Sequence, residues 1–451
     1  MASSSVSPSP SQRRLIVAGI STSTIEYYDF LLYGTMAALV FNKVFFPSFS
    51  AAAGTLASFA TFAFGFIARP IGSLVFGRMG DRIGRKRTLM ISLTMMGLST
   101  LAIGLMPTYE MIGMAAPLLL VAMRFLQGLS LGGEWAGASL VLIENSKPGR
   151  ENFMASMVQI GSLGLVLSSL ATTLASKFTG EHFTTWGWRL PFLLGFVMFL
   201  FTFWIRRNIE DSAEYTEAKA QTTGETQLSL VQTLATYWRP ILLGFFITGG
   251  GVVVYFTITT YGIAYATGPL GYNRTSVLDA LTIAAVVYSI AIPVAGWCAD
   301  RWSPRGVLVT GFVFGVLLSF PFFWLLGQGV VGVFVGLAMY LALSHALIQA
   351  PQAVVYGRQF PPLARYTGTA LSHSLPTAIV GGTAPVIAQA LLNATGSNLT
   401  LSFYIFVMAA LGAGAAYALT KSDSTDRPRR KGVRRSADSD ESTTHSVGTQ
   451  P

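Results

Sequence analysis

The chain has 451 residues, of which only 11% are charged and 52% are apolar, and its mean hydropathy is +0.54. A soluble domain carries about 25% charged residues, so a globular aqueous protein is excluded. The net charge of +10 sits in short clusters between long apolar runs, not on a continuous basic face, so no nucleic-acid partner is expected.

Residues 1–14 are polar, rich in Ser and Pro, and end in Arg13 and Arg14. The apolar run behind them is too long for a signal-peptide core and is predicted to be an uncleaved first span. Twelve apolar runs follow one another, at 15–41, 52–77, 88–106, 114–143, 155–176, 188–205, 240–266, 275–299, 307–326, 330–356, 366–394 and 400–420. Each is long enough to cross a hydrocarbon core of about 30 Å as a helix. Membrane strands would instead alternate over segments of about ten residues.

The predicted fold class is therefore an all-α polytopic membrane protein of twelve transmembrane helices in two six-helix bundles. The expected organisation is an N-terminal tail (1–14), a first bundle (15–205), a linker (206–239), a second bundle (240–420) and a disordered basic tail (421–451). With the N-terminus inside, alternate loops collect 24 of the 30 Lys and Arg, seven of them after Thr420. The opposite loops hold only Lys43, Lys177, Arg189 and Arg274, while Arg69 and Arg124 lie inside spans. That asymmetry places both termini in the cytoplasm of a cell-membrane protein, with the basic tail near anionic headgroups. Cys298 is the one cysteine, so no intrachain disulfide is possible.

The densest charge in the first half is GRMGDRIGRKR, Gly77 to Arg87. A second copy, GWCADRWSPRG, begins at Gly296, 219 residues later, and in both an Asp-Arg pair follows the glycine by four residues. A basic hairpin repeated once per half indicates a duplicated bundle. Gly77, Gly80 and Gly84 suit a tight turn, and Asp81 is placed to accept hydrogen bonds from a neighbouring helix N-terminus, that of span eleven. The surplus of Arg and Lys also fixes the loop on the cytoplasmic side without any gating role.

GRMGDRIGRKR resembles the loop signature between helices two and three of the major facilitator superfamily, and RFLQG at Arg124 resembles its helix-four motif. More narrowly, EYYDFLLYG in the first span, FIARP at Arg69 and RFLQGLSLGGEWAG in the fourth resemble the metabolite:proton symporter family. That family includes transporters of shikimate, 2-oxoglutarate, citrate, and proline with betaine. The resemblance runs from about Arg13 to Thr420. It implies two bundles rocking about a midplane site, an Arg85–Glu144 pair, and a gating set of Gly77, Asp81, Arg82, Gly84, Arg85 and Glu144, with Asp300 and Arg301 in the second copy. The tail lacks the apolar heptads of the coiled-coil extension found in some osmosensing relatives.

A charge at a helix centre costs about 2.5–3.5 kcal/mol on insertion scales, so intramembrane charges need a partner or a task. Glu26, Asp29 and Tyr33 share one face of the first span, and Arg124, Gln127, Leu131 and Glu134 share one face of the fourth. Two stripes of opposite charge at similar depth point to a common aqueous cavity. A carboxylate there binds a proton when its cationic partner is taken away. Asp29 and Glu26 are the candidate proton-coupling groups with Arg124 as partner and Glu134 as a further candidate; the competing reading is a static ion pair locking helices one and four. Glu134 and Arg69 also lie at matching depth, where a structural pair competes with a transport role.

Arg124 can grip a substrate carboxylate through two hydrogen bonds. With Arg69 it favours an anionic substrate, and Tyr33, Gln127, Gln159, Tyr255, Gln349 and His373 complete the candidate binding set. Each of these also suits an ordinary helix–helix hydrogen bond, and His345 and His373 suit either titration or a satisfied neutral state. Pro376 with Gly381 and Gly382 allows a kink in span eleven. No P-loop, metal cluster or nucleophile elbow stands out, so an enzyme is not expected and no cofactor is needed. The expected function is proton-gradient-driven uptake of a small, shikimate- or dicarboxylate-like organic acid by a monomer whose other partners are protons and lipids. The alternatives are a proline or betaine symporter and a metabolite receptor that does not transport.

Overall fold

In a computed structural model, residues 12–48, 51–207, 230–267 and 269–425 of the chain are described. The expectations for most of the N-terminal tail, for residues 208–229 of the linker and for the tail beyond 425 lie outside the described residues. Helices account for every traverse, as they must where lipid offers the backbone no hydrogen-bond partner. They are α1 (Gln12–Met36), α2 (Ala51–Ile83), α3 (Arg85–Leu105), α4 (Ala115–Glu144), α5 (Ser162–Thr179), α6 (Arg189–Arg206), α7 (Trp238–Phe256), α8 (Arg274–Arg301), α9 (Pro304–Leu326), α10 (Val330–Met339, extended by Ala346–Gly357), α11 (Arg365–Pro376, extended by Gly382–Thr395) and α12 (Asn398–Thr425). Among the described residues, eight of these are long and apolar enough to cross a membrane by length and composition: α3, α4, α6 to α10 and α12.

The outward faces are apolar, the reverse of a soluble helix. Ile67, Ile71 and Val75 stand exposed on α2, Leu194, Val197 and Phe201 on α6, and Ile283, Val286, Ile290 and Val294 on α8. A continuous apolar exterior marks membrane contact. The interior is held by close backbone approach. A side chain at Gly128 would strike the carbonyl of Gly65, and one at Gly132 the carbonyl of Arg69, so α2 and α4 touch backbone to backbone, as small residues permit in bilayers.

Several helices are locally rewound. A π-helical turn, Ala37–Phe41, extends α1, and another, Thr257–Tyr261, extends α7. These start 220 residues apart (257 minus 37), within one residue of the 219 separating the two basic hairpins (296 minus 77). Further π turns join the parts of α10 (Tyr340–His345) and α11 (Thr377–Gly381). The kink expected at Pro376 thus takes the form of a π turn directly after the proline. The continuous fifth span expected over 155–176 is interrupted: a short helix, Glu151–Ser156, and a 3-10 turn, Met157–Gln159, precede α5. The chain bends at Ile160–Gly161, where the Tyr27 ring of α1 fills the space a side chain at Gly161 would need.

The two hairpins turn by different means. In the first, Gly84 takes φ 102°, a region open to glycine. In the second, Ser303 caps α9 by accepting from the Gly306 N–H at 3.2 Å, with Pro304 in the first turn. These loops, with 145–150 and 358–364, define a basic end of the bundle.

The α2–α4 contact yields a stability prediction. Gly132→Leu should destabilise the purified protein by about 3 kcal/mol or more, as overpacking does when the neighbour is backbone. Gly414→Leu, with no atom within 4 Å of its added Cβ, should leave thermal unfolding in detergent unchanged. Equal melting of the two variants would refute the contact.

Candidate functional site

The acidic and basic stripes of α1 and α4 meet inside the first bundle. Asp29 is 2% and Arg124 1% exposed, with Arg124 Nη1 3.7 Å from Asp29 Oδ2. Asp29 Oδ1 accepts from Thr100 Oγ1 of α3 at 2.6 Å and from Gln127 Nε2 at 3.0 Å, while Gln127 Oε1 accepts from Arg124 at 3.1 Å. Gln127 therefore bridges acid and base, holding its amide orientation by both ends. Arg124 lies 4.3 Å over the Tyr33 ring, and Tyr33 shares a 2.5 Å hydrogen bond with Thr61 of α2. Room for the guanidinium comes from Gly65, where a Cβ would stand 2.9 Å from Arg124 Nε. Thr100 and Thr61 escape sequence reasoning, since hydroxyls are ordinary in spans and their partners sit on other helices.

Arg69 is half-buried, with its guanidinium 5.5 Å over Phe30 and 5.0 Å over Phe66. It forms no ion pair within 4 Å among the described residues, so the Arg69–Glu134 pair weighed above is not made. The two are joined only by longer-range electrostatics, in which Glu26 also acts on both. Glu134 is fully buried, and neither of its carboxyl oxygens has a hydrogen-bond partner among the described residues. Arg206 of α6, which donates to Thr22 at 2.5 Å, is among the charges that act on it.

The candidate residues of the second bundle are placed separately. Tyr255 of α7 lies over His345 with ring centroids 4.8 Å apart, and His345 Nδ1 shares a 2.6 Å hydrogen bond with Tyr288 of α8. Through His345 this trio includes the end of the π turn of α10. Gln349 is half-buried, and Gln159 is buried in the 3-10 turn before α5. His373 stacks on Trp135 of α4 with centroids 3.8 Å apart and planes 10° from parallel, so in this arrangement it joins the two bundles.

At the basic end the bundles are closed on each other. Asp81 accepts from the backbone N–H of Tyr366 and of Thr367, both at 3.1 Å, and from the Thr367 hydroxyl at 2.6 Å. These are the first N–H groups of α11, whose positive end favours a carboxylate. Tyr366 is fully buried: its ring fills the space beside Gly80, and its hydroxyl donates to Gly133 O at 2.8 Å. Arg85 and Arg365 both pair with Glu144, the latter at 3.3 Å, and Arg85 also donates to Pro362 O at 3.1 Å. In the second copy Asp300 accepts from the N–H groups of Asn152 (2.9 Å) and Phe153 (2.8 Å) and from the Asn152 amide (2.9 Å). Each hairpin aspartate thus caps a helix start in the opposite bundle. Arg82 and Arg301 are exposed beside these contacts. Tyr366, Thr367 and Trp135 were not legible beforehand, because nothing in one helix announces a partner in the other bundle.

Residues 30–372 match the family model of the Major Facilitator Superfamily. The chain is 35% identical over 416 residues to the shikimate transporter of Escherichia coli (strain K12), covering 91% of this chain and 95% of that protein. It is 37% identical over 412 residues to the inner membrane metabolite transport protein YhjE of the same organism, with 90% and 93% covered. To the E. coli K12 proline/betaine transporter it is 31% identical over 430 residues, with 92% and 84% covered. Among solved structures, the proton:xylose symporter XylE bound to 6-bromo-6-deoxy-D-glucose superposes with a TM-score of 0.71 at 17% identity, covering 91% of this chain and 95% of that one, a likeness of fold. On these grounds the chain belongs to the Major Facilitator Superfamily and is a multi-pass membrane transporter, not an enzyme.

Proposed function

We propose that the protein takes up a small organic acid together with protons, by alternating access of the two bundles about a midplane site. The observation that carries this reading is the buried Asp29–Arg124 pair at 3.7 Å, bridged by Gln127 in the middle of two spans. An incoming carboxylate competes with Asp29 for Arg124, and Asp29, losing its counter-charge in a desolvated place, takes a proton. Substrate and proton then enter together. Arg69, a cation between two phenyl rings with no ion pair among the described residues, supports an anionic cargo and supplies a second contact for it. Glu26 and Glu134 are the carboxyls next in line for the proton. On the other wall, Tyr255 and Gln349 would contact the rest of the substrate.

The similarity to the shikimate transporter supports a hydroxylated ring acid. The similarity to the proline/betaine transporter supports a second reading, in which a zwitterion presents the same carboxylate. In this reading of orientation, with the basic end cytoplasmic, the hydrogen bonds of Asp81 and Asp300 shut the inner side, so the gating role belongs to Asp81, Arg85, Glu144 and Asp300 and to the Tyr366 wedge.

Proteoliposomes with an inward proton gradient should accumulate one of shikimate, a dicarboxylate, proline or betaine; binding without uptake under every gradient would identify a receptor instead. Asp29→Asn should abolish gradient-driven accumulation while sparing exchange of labelled for unlabelled substrate, and continued accumulation would remove Asp29 from coupling. Arg124→Lys, which offers a point charge in place of a fork, should weaken apparent affinity about tenfold or more, about 1.4 kcal/mol; wild-type affinity there would sink the clamp. Asp81→Ala should slow turnover more than it alters binding, whereas unchanged turnover would leave the hairpin a topological role alone.

A further inference from the structure

A cavity of about 290 Å³ opens at the basic end between the two bundles, beside the Asp300 contact. Its lining comes from both: Gly149, Arg150 and Phe153 from the approach to α5, and Trp297, Asp300 and Arg301 from the foot of α8. Both oxygens of Asp300 are already engaged by Asn152 and Phe153, so the one acid of the lining is occupied in joining the bundles. The Arg301 guanidinium lies 5.6 Å over the Trp297 ring, and Trp297 meets Trp302 edge-on at 6.5 Å. Arg150 and Arg301 form no ion pair among the described residues. The corresponding cluster of the first hairpin differs in this respect, since there Arg85 and Arg365 both pair with Glu144.

The depth of the cavity follows from α8 itself. Ile283, Val286, Ile290, Val294 and Trp297 are exposed along one helix face, and that lipid-facing stripe ends in Arg301. Tryptophan at the end of such a stripe marks the boundary between hydrocarbon and headgroups, with the cation just beyond it. We infer that this cavity binds the phosphodiester headgroup of an anionic phospholipid, gripped by Arg150 and Arg301 with its glycerol end resting on Trp297. The two arginines line the cavity from different bundles, which Asp300 joins through Asn152 and Phe153. A bound lipid therefore favours the arrangement closed at the basic end, by preferential binding to that state. The site stands on this geometry whatever the transported substrate is.

The test uses purified full-length protein in nanodiscs of phosphatidylcholine, alone or with phosphatidylglycerol, read by hydrogen exchange over residues 151–157 and by native mass spectrometry of retained lipid. Phosphatidylglycerol should slow exchange in that segment and leave one retained lipid on the wild type. Arg150→Gln and Arg301→Gln should each weaken both effects about fivefold, the factor for one cation near an anionic surface. Trp297→Leu, which keeps both cations, should weaken retention less than either. Equal exchange and retention in wild type and the double Arg150→Gln, Arg301→Gln variant would overturn the site. Glycerol phosphate in solution protecting the segment equally in pure phosphatidylcholine would assign it to a soluble phosphate ester and overturn the lipid.

Discussion

Arg124, a guanidinium buried inside a helix bundle, is answered by an anion on a different helix. The interaction reaches well beyond the pair. It fixes the rotation of α1 and α4 about their axes, draws Thr100 of α3 and Gln127 into one hydrogen-bonded group, and demands that α2 present Gly65 where the arginine stem must pass. Four of the six helices of the first bundle are positioned by one buried charge. Removing one partner of such a pair typically costs about 3–5 kcal/mol because the other is left uncompensated, so the loss of either partner is felt through the whole bundle.

The closure at the basic end uses a different economy. Asp81 and Asp300 are met chiefly by backbone N–H groups at helix starts, donors that a helix leaves unsatisfied in any case. Such contacts are specific while they last, yet water can replace them when the bundles part. Beside these exchangeable hydrogen bonds the bundles also share an apolar seam, in which Leu140, Val141 and Met154 of the first belong to one buried cluster with Val354, Tyr356 and Tyr366 of the second. The Tyr366 wedge and the Trp135–His373 stack add shape to that closure without adding charge.

Much of this was written plainly in the chain, and the reason is the solvent. Lipid forces each traverse to be helical and apolar, so spans, hairpins and the half-chain repeat could be read from composition alone, and Asp29 and Arg124 stood out because charge is costly there. What stayed hidden depends on one helix meeting another. Thr61, Thr100, Tyr366 and Trp135 are unremarked in their own segments and acquire meaning only from the rotation and depth of a neighbour. The bend at Ile160–Gly161 was equally invisible, since a glycine in a span serves close packing as often as a break, and its neighbour, the Tyr27 ring, lies on another helix.

The paired π turns of α1 and α7 bear on helix register. A π turn is one residue inserted into an α-helix, and it rotates everything beyond it by about 100° relative to the part before. The two turns stand at matching places in the chain's halves, 220 residues apart. Deleting the extra residue from one half alone would turn that half's outer segment to face the wrong neighbours. The bulge thus sets the rotational register of each half's outer segment against its neighbours.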